Sequence, residues 1–357
     1  MAWYSLKKIL KYKAIYNMII GQRSNGKTYA WKSLALDNYF EKGERCAYIR
    51  RYENDIKPKN LGQLFNTHDI EKLSKGKWNA VTYEKNGFYM CIKIEGRVVE
   101  KSEEPFCDVY ALNIWESAKG ADRGEVTTIC FDEFMTRKAY LTNEFVIFQQ
   151  VLSSIIRDRD TATIFMLANT VNKYCPYFKE MGLHHVSDMK QGEIELYNYG
   201  DSGLTVAVEL CATSTNTKKV SKYYAFDNPQ LDMITKGTWE VALYPKPPIR
   251  TTKEDILKRF YIKFDKQIVA GDIIKTSNYL FILYHMHTGN HEYDENDIVY
   301  LDEHDGCINH SVLLSECRTE VHELINSLIR TKREFYSGNA VGEIVRNWKI
   351  NVNRMSL

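Results

Sequence analysis

No run in this 357-residue chain approaches the roughly 20 apolar residues that a membrane span requires. The opening MAWYSLKKILKYK is too short, and too interrupted by lysine, to serve as a signal peptide. Neither charge sign dominates: 48 Lys and Arg face 46 Asp and Glu, a net charge of +2. A polyanionic partner therefore has to be met by local patches, not by a global field. The eight cysteines, at 46, 91, 107, 130, 175, 211, 307 and 317, include no Cys-x-x-Cys pair, which argues for reduced thiols and against a disulfide framework. No internal repeat or low-complexity segment is found. These absences predict an intracellular globular protein that is not integral to a membrane, and 44% hydrophobic with 26% charged residues fit that class. The length exceeds the size at which one core keeps growing, so two domains with a connector are expected.

Residues 15–21, IYNMIIG, have the dense apolar character of a buried parallel strand, and 27–42 carry apolar residues at near-helical spacing. Gly43 ends that helix and ERCAYIRR supplies a second strand, so a βαβ unit is expected. From 78 to 99 the chain alternates and turns at Asn86-Gly87 and Glu95-Gly96, which predicts antiparallel ribbons inserted at the margin of a sheet. Two further buried strands, 126–131 and 162–168, flank a helical stretch near 143–157 and extend an open α/β sheet. After about residue 192 the segments are short and polar, up to the proline cluster YPKPPIR at 244–250. Strands within 256–300 and helices at 312–335 and 339–349 then predict a second, smaller α/β domain. The expected boundaries are 1–207 for the first domain, 208–252 for a linker and 253–357 for the second.

Between the first strand and its helix, Gly21, Gln22, Arg23, Ser24, Asn25, Gly26, Lys27 and Thr28 fit the Walker A pattern G-x-x-x-x-G-K-[ST] without a mismatch. In such a loop successive backbone N–H groups point at phosphate oxygens, Lys27 reaches the β- and γ-phosphates and Thr28 ligates Mg²⁺. The rival reading is a glycine-bearing turn; the flanking strand and helix favour the phosphate loop. VTTICFDE, 126–133, supplies a Walker B pattern: an apolar strand ending in Asp132, suited to the Mg²⁺ shell, and Glu133, suited to activate water as general base. Carboxylates also cap strand ends for structural reasons, yet this pair downstream of a complete loop points to ATP or GTP hydrolysis. The adjacent glutamate favours the additional-catalytic-glutamate ATPases, and the lack of an NKxD-like motif weakens a GTPase reading. Asn169, closing the next strand, fits either a γ-phosphate sensor or an asparagine that opens a turn. Arg157 and Arg159 in IIRDRD fit either an arginine presented to a neighbouring subunit's γ-phosphate or a solvated charge cluster.

Two-metal nuclease chemistry needs three or four carboxylates converging at strand ends. Asp265 follows FYIKF, but the next strand offers His285 and His287 where a partnering acid is required, so nuclease activity is not expected. Those histidines, with His304, Cys307 and His310, make no recognised zinc spacing, and structural roles are expected for them.

IGQRSNGKTYA, AYIRRY at 47–52, WESAK at 115–119, TTICFDEF at 127–134, IIRDRD, LANTVN and CPYF at 175–178 occur in an order that resembles the DNA-packaging (encapsidation) ATPases of phi29-like tailed phages. These are compact relatives of the large terminase subunits among the FtsK/HerA-like ATPases. The resemblance covers about residues 8–180; beyond them only the length and the strand-then-helix plan agree. It implies an α/β fold: a P-loop ASCE ATPase open sheet with inserted β-ribbons, a linker, and a smaller RNase H-like α/β domain that has lost nuclease function. It implies a homopentameric ring at the portal (connector) of a procapsid, using ATP and Mg²⁺ to drive double-stranded DNA inward. Such a motor works in the host cytoplasm, transiently at the portal vertex; a structural packaging RNA is left open as a further partner. By position Arg157 matches the family's trans-acting arginine finger, Arg23 an arginine of terminase-type phosphate loops, and Lys119 a segment facing DNA or the neighbouring subunit. Glu53 stands where the family pattern has lysine, so no phosphate contact is carried over to it. In this reading Lys119 and Arg123, and Lys75 and Lys77 beside the ribbons, are candidate contacts to DNA phosphates, each weighed against a plain solvated charge. Two rivals stay open: a hexameric helicase or recombination ATPase, and a nucleotide-dependent assembly switch that moves nothing.

Overall fold

The computed structural model describes residues 3–118, 126–157, 159–212, 239, 242–288, 297–302, 310–311 and 319–355. The chain divides into two compact units, Met1–Glu240 and Val241–Leu357. Ten strands of the first unit form one sheet. They are β1 (Tyr16–Gly21), β2 (Arg45–Arg50), β3 (Ala80–Glu84), β4 (Gly87–Ile94), β5 (Arg97–Lys101), β6 (Cys107–Ala111), β7 (Val126–Asp132), β8 (Thr163–Asn169), β9 (Ile194–Asn198) and β10 (Thr205–Leu210). Their order is β3-β4-β6-β2-β7-β8-β1-β10-β9, with β5 on β4. From β6 across to β10 every pairing is parallel.

Alternation along the central strands divides the core between the two faces of the sheet. Met18, Ile20, Ile129 and Phe131 join one cluster, into which the helix Glu144–Ile156 sends Phe148, Val151, Leu152 and Ile155 at helical spacing. Ile19, Cys130, Phe165 and Leu167 join the other, capped by Trp31, Ala35 and Leu36 of the helix Lys27–Lys42. Both faces being covered, the strands read as continuous apolar runs. The Lys27–Lys42 helix ends as its sequence predicts, on Gly43 at φ 74, whose N–H reaches the Asn38 and Tyr39 carbonyls.

The ribbons lie at the margin of the sheet, where β4 meets β6 only at Gly87 and Phe88. Their first turn is Lys85-Asn86, φ 49 and 56, one residue earlier than expected; Glu95-Gly96 forms the second. The expected boundary at 207 requires correction, because it falls inside β10. Val206, Ala207 and Val208 are fully buried opposite Tyr16, Asn17 and Met18, so the strand completes the first unit's sheet.

The second unit has β11 (Ile256–Phe264), β12 (Gln267–Lys275), β13 (Leu280–Met286), β14 (Ile298–Tyr300), β15 (His310–Ser311) and β16 (Glu334–Tyr336), ordered β15-β14-β11-β12-β13-β16. An antiparallel meander, β11-β12-β13, is extended by parallel β14 and β15 on one side and by β16, parallel to β13, on the other. Gly271 is required on β12: a Cβ there would lie 2.3 Å from the Phe260 ring. Of the helix expected at 312–335, the described part is Glu320–Arg330, and Glu334–Tyr336 is a strand instead. The final helix, Asn339–Met355, runs beyond its expected end.

Candidate nucleotide site

The pairs Gly21 with Asn169 and Asp132 with Leu167 bring the carboxyl ends of β1, β7 and β8 level, at the edge where open α/β sheets take ligands. A cleft of about 370 Å³ opens there, lined by Arg23, Ser24, Asn25, Gly26, Lys27, Thr28, Asp132, Glu133, Ala168 and Asn169, with the aromatic Trp3 and Tyr29. Its size suits a nucleotide-sized ligand. Two glycines are dictated by geometry. A Cβ on Gly21 would sit 2.7 Å from the Cβ of Cys211, and Gly26 has φ +97 with Trp3 packed against it. Gln22 and Asn25 are buried, while Arg23 and Ser24 are exposed at the tip of the loop.

Lys27 is 6% exposed. Its Nζ donates to the carbonyls of Gly21 (3.2 Å) and Gln22 (2.9 Å), to Asn25 Oδ1 (3.2 Å) and to Asn169 Oδ1 (3.3 Å). Burial pushes the ammonium down to about 8, against the opposing pull of Cys211 and Asp132. Asn169 thus stands beside the Gly21–Thr28 loop, and its carbonyl also accepts the Val171 N–H at 2.8 Å, so it opens a turn as well.

Asp132 Oδ2 accepts the Thr28 hydroxyl at 3.1 Å and the Tyr48 hydroxyl at 2.7 Å, while Oδ1 accepts the Glu133 N–H at 3.0 Å. Thr28 and Asp132 fit a Mg²⁺ site: they are two hard oxygen donors facing a roomy cleft, and Mg²⁺ takes one or two protein ligands and keeps several waters.

Glu133 occupies the left-handed region, φ 59, which costs a non-glycine residue about 1–2 kcal/mol. Its carboxylate, 58% exposed, is paired with Arg50 Nη2 at 2.6 Å. Burial alone would lower the Arg50 guanidinium, but Tyr48, Glu133 and Asp132 outweigh it and hold it above its usual range. Arg51, the next residue, is buried and binds the backbone carbonyls of Glu133 and Phe134 together with the carboxylate of Glu144. Tyr48, Arg50, Arg51 and Glu144 stand around the acid pair, and the sequence reading gives none of them a role there. The available signal is the pair of arginines that follows the apolar run CAYI.

Neither Arg157 nor Arg159 lines the cleft of its own chain. Arg157 is exposed and ends the helix Glu144–Ile156, whereas Arg159 caps that helix by donating to the Ile156 carbonyl at 3.0 Å and the Ile155 carbonyl at 2.5 Å. Lys119 and Arg123 lie outside the described residues, as do His304 and Cys307. Lys75 and Lys77 are exposed, and Lys77 stands over the Trp78 ring. Glu53 is exposed and away from the cleft, its N–H held by Asn113 Oδ1 at 2.7 Å.

In the second unit Asp265 serves the β11–β12 turn, with φ 47 beside Lys266 at φ 61. The acid that β12 carries, Asp272, is occupied by Arg259 (2.6 and 2.9 Å) and by His285 (3.1 Å). Among the described residues no three His, Cys, Asp or Glu side chains converge as a metal group would. His287 packs edge-on to the Tyr261 ring.

Residues 1–203 match the family model of the Podovirus DNA encapsidation protein (Gp16). The DNA packaging protein of Bacillus phage phi29 is 28% identical over 184 residues, 49% of this chain and 49% of that protein. That of Bacillus phage B103 is 30% identical over 180 residues, 49% of this chain and 50% of that protein. The chain thus spans about half the length of the curated relatives it matches. Among solved structures, a chain of the bacteriophage Phi-29 viral genome packaging motor assembly aligns with 99% of this chain and 100% of its own length, with a TM-score of 0.55 at 18% identity, a likeness of fold. The family match takes in more than half of the chain, and with it every residue that lines the cleft. This chain belongs to the Podovirus DNA encapsidation protein (Gp16) family.

Proposed function

We propose that this chain is the ATP-hydrolysing motor subunit that drives double-stranded DNA into a phage procapsid. The observation that carries the reading is the hydroxyl-to-carboxylate link between Thr28 and Asp132, 3.1 Å long, with Glu133 next in the chain. It joins the loop suited to phosphate with the acids suited to metal and water. In binding a triphosphate, Lys27 leaves its loop carbonyls for the β- and γ-phosphates, while the loop N–H groups face the same oxygens. Thr28 and Asp132 would hold Mg²⁺, which when bound supplies positive charge to the phosphates and orients them. Glu133 accepts the proton of the attacking water once its carboxylate leaves Arg50, so the Arg50 pair is a state the site passes out of before hydrolysis.

Arg157 completes the site of a neighbouring subunit in a homo-oligomeric ring, a pentamer in this reading. Arg159 is committed to capping its own helix and is the weaker candidate. The relatives from Bacillus phages carry the name DNA packaging protein, which supports duplex DNA and a procapsid portal as partners at the portal vertex. Lys119 and Arg123 remain candidates for phosphate-directed contact with that DNA. The test is ATPase activity with and without duplex DNA and empty procapsids. Both should stimulate it, Lys27→Ala should abolish nucleotide binding and turnover, and Glu133→Gln should bind ATP while losing roughly 10²–10⁴-fold in turnover. Stimulation by single strands but not by duplexes would overturn the packaging reading in favour of a helicase.

A further inference from the structure

Arg50, the last residue of β2, and Arg51, the residue after it, both end on Glu133. Arg50 takes its carboxylate; Arg51 takes its backbone. Arg51 Nη1 donates to the Glu133 carbonyl at 3.1 Å and Nη2 to the Phe134 carbonyl at 2.5 Å. The other edge of the same guanidinium forms a fork with Glu144, Nε to Oε2 at 2.8 Å and Nη2 to Oε1 at 3.0 Å. Glu144 is in turn saturated: Oε2 also accepts the Leu141 N–H at 2.8 Å and Oε1 the Tyr177 hydroxyl at 3.0 Å. The rings of Phe131 and Tyr140 flank the guanidinium, 5.7 and 5.0 Å from its carbon. Both charged residues are at most 5% exposed.

We infer that the Arg51–Glu144 pair positions Glu133 for catalysis, holding its backbone in the left-handed conformation from which the carboxylate enters the cleft. The inference rests on the reading of Glu133 as the base. A glutamate at φ 59 has no local preference for that conformation, so tertiary contacts must impose it, and Arg51 is bound to the carbonyls of both residues that follow Asp132. With Glu144 gripping one edge and two rings beside it, the guanidinium has one orientation. A lysine would keep the charge but, lacking the fork, would not bridge Glu144 and both carbonyls. Arg51 does not line the cleft, so it acts on the reaction only through Glu133.

The test combines Arg51→Lys and Glu133→Gln, singly and together, in the full chain. It reads thermal stability, affinity for a slowly hydrolysed ATP analogue, and single-turnover hydrolysis. Arg51→Lys should slow hydrolysis by roughly 10²-fold, the cost of misplacing a reacting group by about 1 Å, with nucleotide affinity unchanged within about twofold. Added to Glu133→Gln, it should slow the residual rate no further, because both changes disable one group. Tyr177→Phe removes a single hydroxyl from Glu144 and keeps the packing. It should slow hydrolysis in the same direction at unchanged affinity, and it decides the matter where Arg51→Lys fails to fold. A wild-type rate in both variants would overturn the inference, as would an equal slowing with and without Glu133. Wild-type turnover by Glu133→Gln would instead overturn the assignment of the base.

Discussion

Raising the pH from 7 to 9 should weaken nucleotide binding about tenfold, through Lys27. Its ammonium is 6% exposed, its acceptors within 3.3 Å are all neutral oxygens, and burial brings it from the ordinary 10.5 to about 8. Only the charged form attracts a triphosphate, so the apparent Kd scales as one plus the ratio of neutral to charged lysine. That factor is about 1.1 at pH 7, about 2 at pH 8 and about 11 at pH 9, or roughly 1.4 kcal/mol over the range. The sign for stability is opposite. The folded, nucleotide-free chain binds fewer protons than the unfolded chain between about 8 and 10.5, so its stability rises with pH across that window while affinity falls. Isothermal titration calorimetry with a slowly hydrolysed ATP analogue, at fixed free Mg²⁺, reads this directly. The second phosphate ionisation, with a pKa of about 6, is roughly nine-tenths complete at pH 7 and shifts affinity by no more than about 1.1-fold, in the opposite direction. An affinity constant to within about 1.5-fold from pH 7 to 9, as a lysine of ordinary pKa would give, refutes the reasoning.

Three further outcomes follow from the geometry of the first unit. Tyr48→Phe removes a fully buried donor from Asp132, a hydrogen bond to a charged group worth about 1.5–3 kcal/mol, so half-saturating Mg²⁺ for hydrolysis should rise roughly tenfold or more; an unchanged Mg²⁺ titration would remove Tyr48 from the site. Arg159→Ala should cost about 0.3–1 kcal/mol of stability by uncapping the helix Glu144–Ile156 and leave hydrolysis intact. Arg157→Ala should abolish hydrolysis, to be partly restored by mixing with Lys27→Ala subunits; no rescue in well-formed mixed assemblies counts against action in trans.

Two of the strands missed in the sequence share a cause. β6, CDVYA, carries Asp108 in its middle and β10, TVAVEL, carries Glu209, so both look like surface segments. Each acid is buried because a remote partner satisfies it: Arg45 Nη2 lies 2.8 Å from Asp108, and the Tyr4 hydroxyl lies 2.6 Å from Glu209, 205 residues away in sequence. The same holds for Arg51 and Glu144, ordinary charges by sequence and an inward-facing pair in the fold. The sequence by itself determined the loop Gly21–Thr28, the helix behind it and the place of the acid pair at the end of β7. A contiguous motif carries its own backbone geometry, and an unbroken apolar run needs no particular partner. Only the tertiary structure decided that Tyr48 and Thr28 share one oxygen of Asp132, that two arginines divide Glu133 between them, and that Arg159 caps a helix. The role of a lone polar group depends on what the fold sets opposite it; Arg159 finds its partners three and four residues away, but the side-chain partners of Asp132 and Glu133 lie more than 80 residues away along the chain.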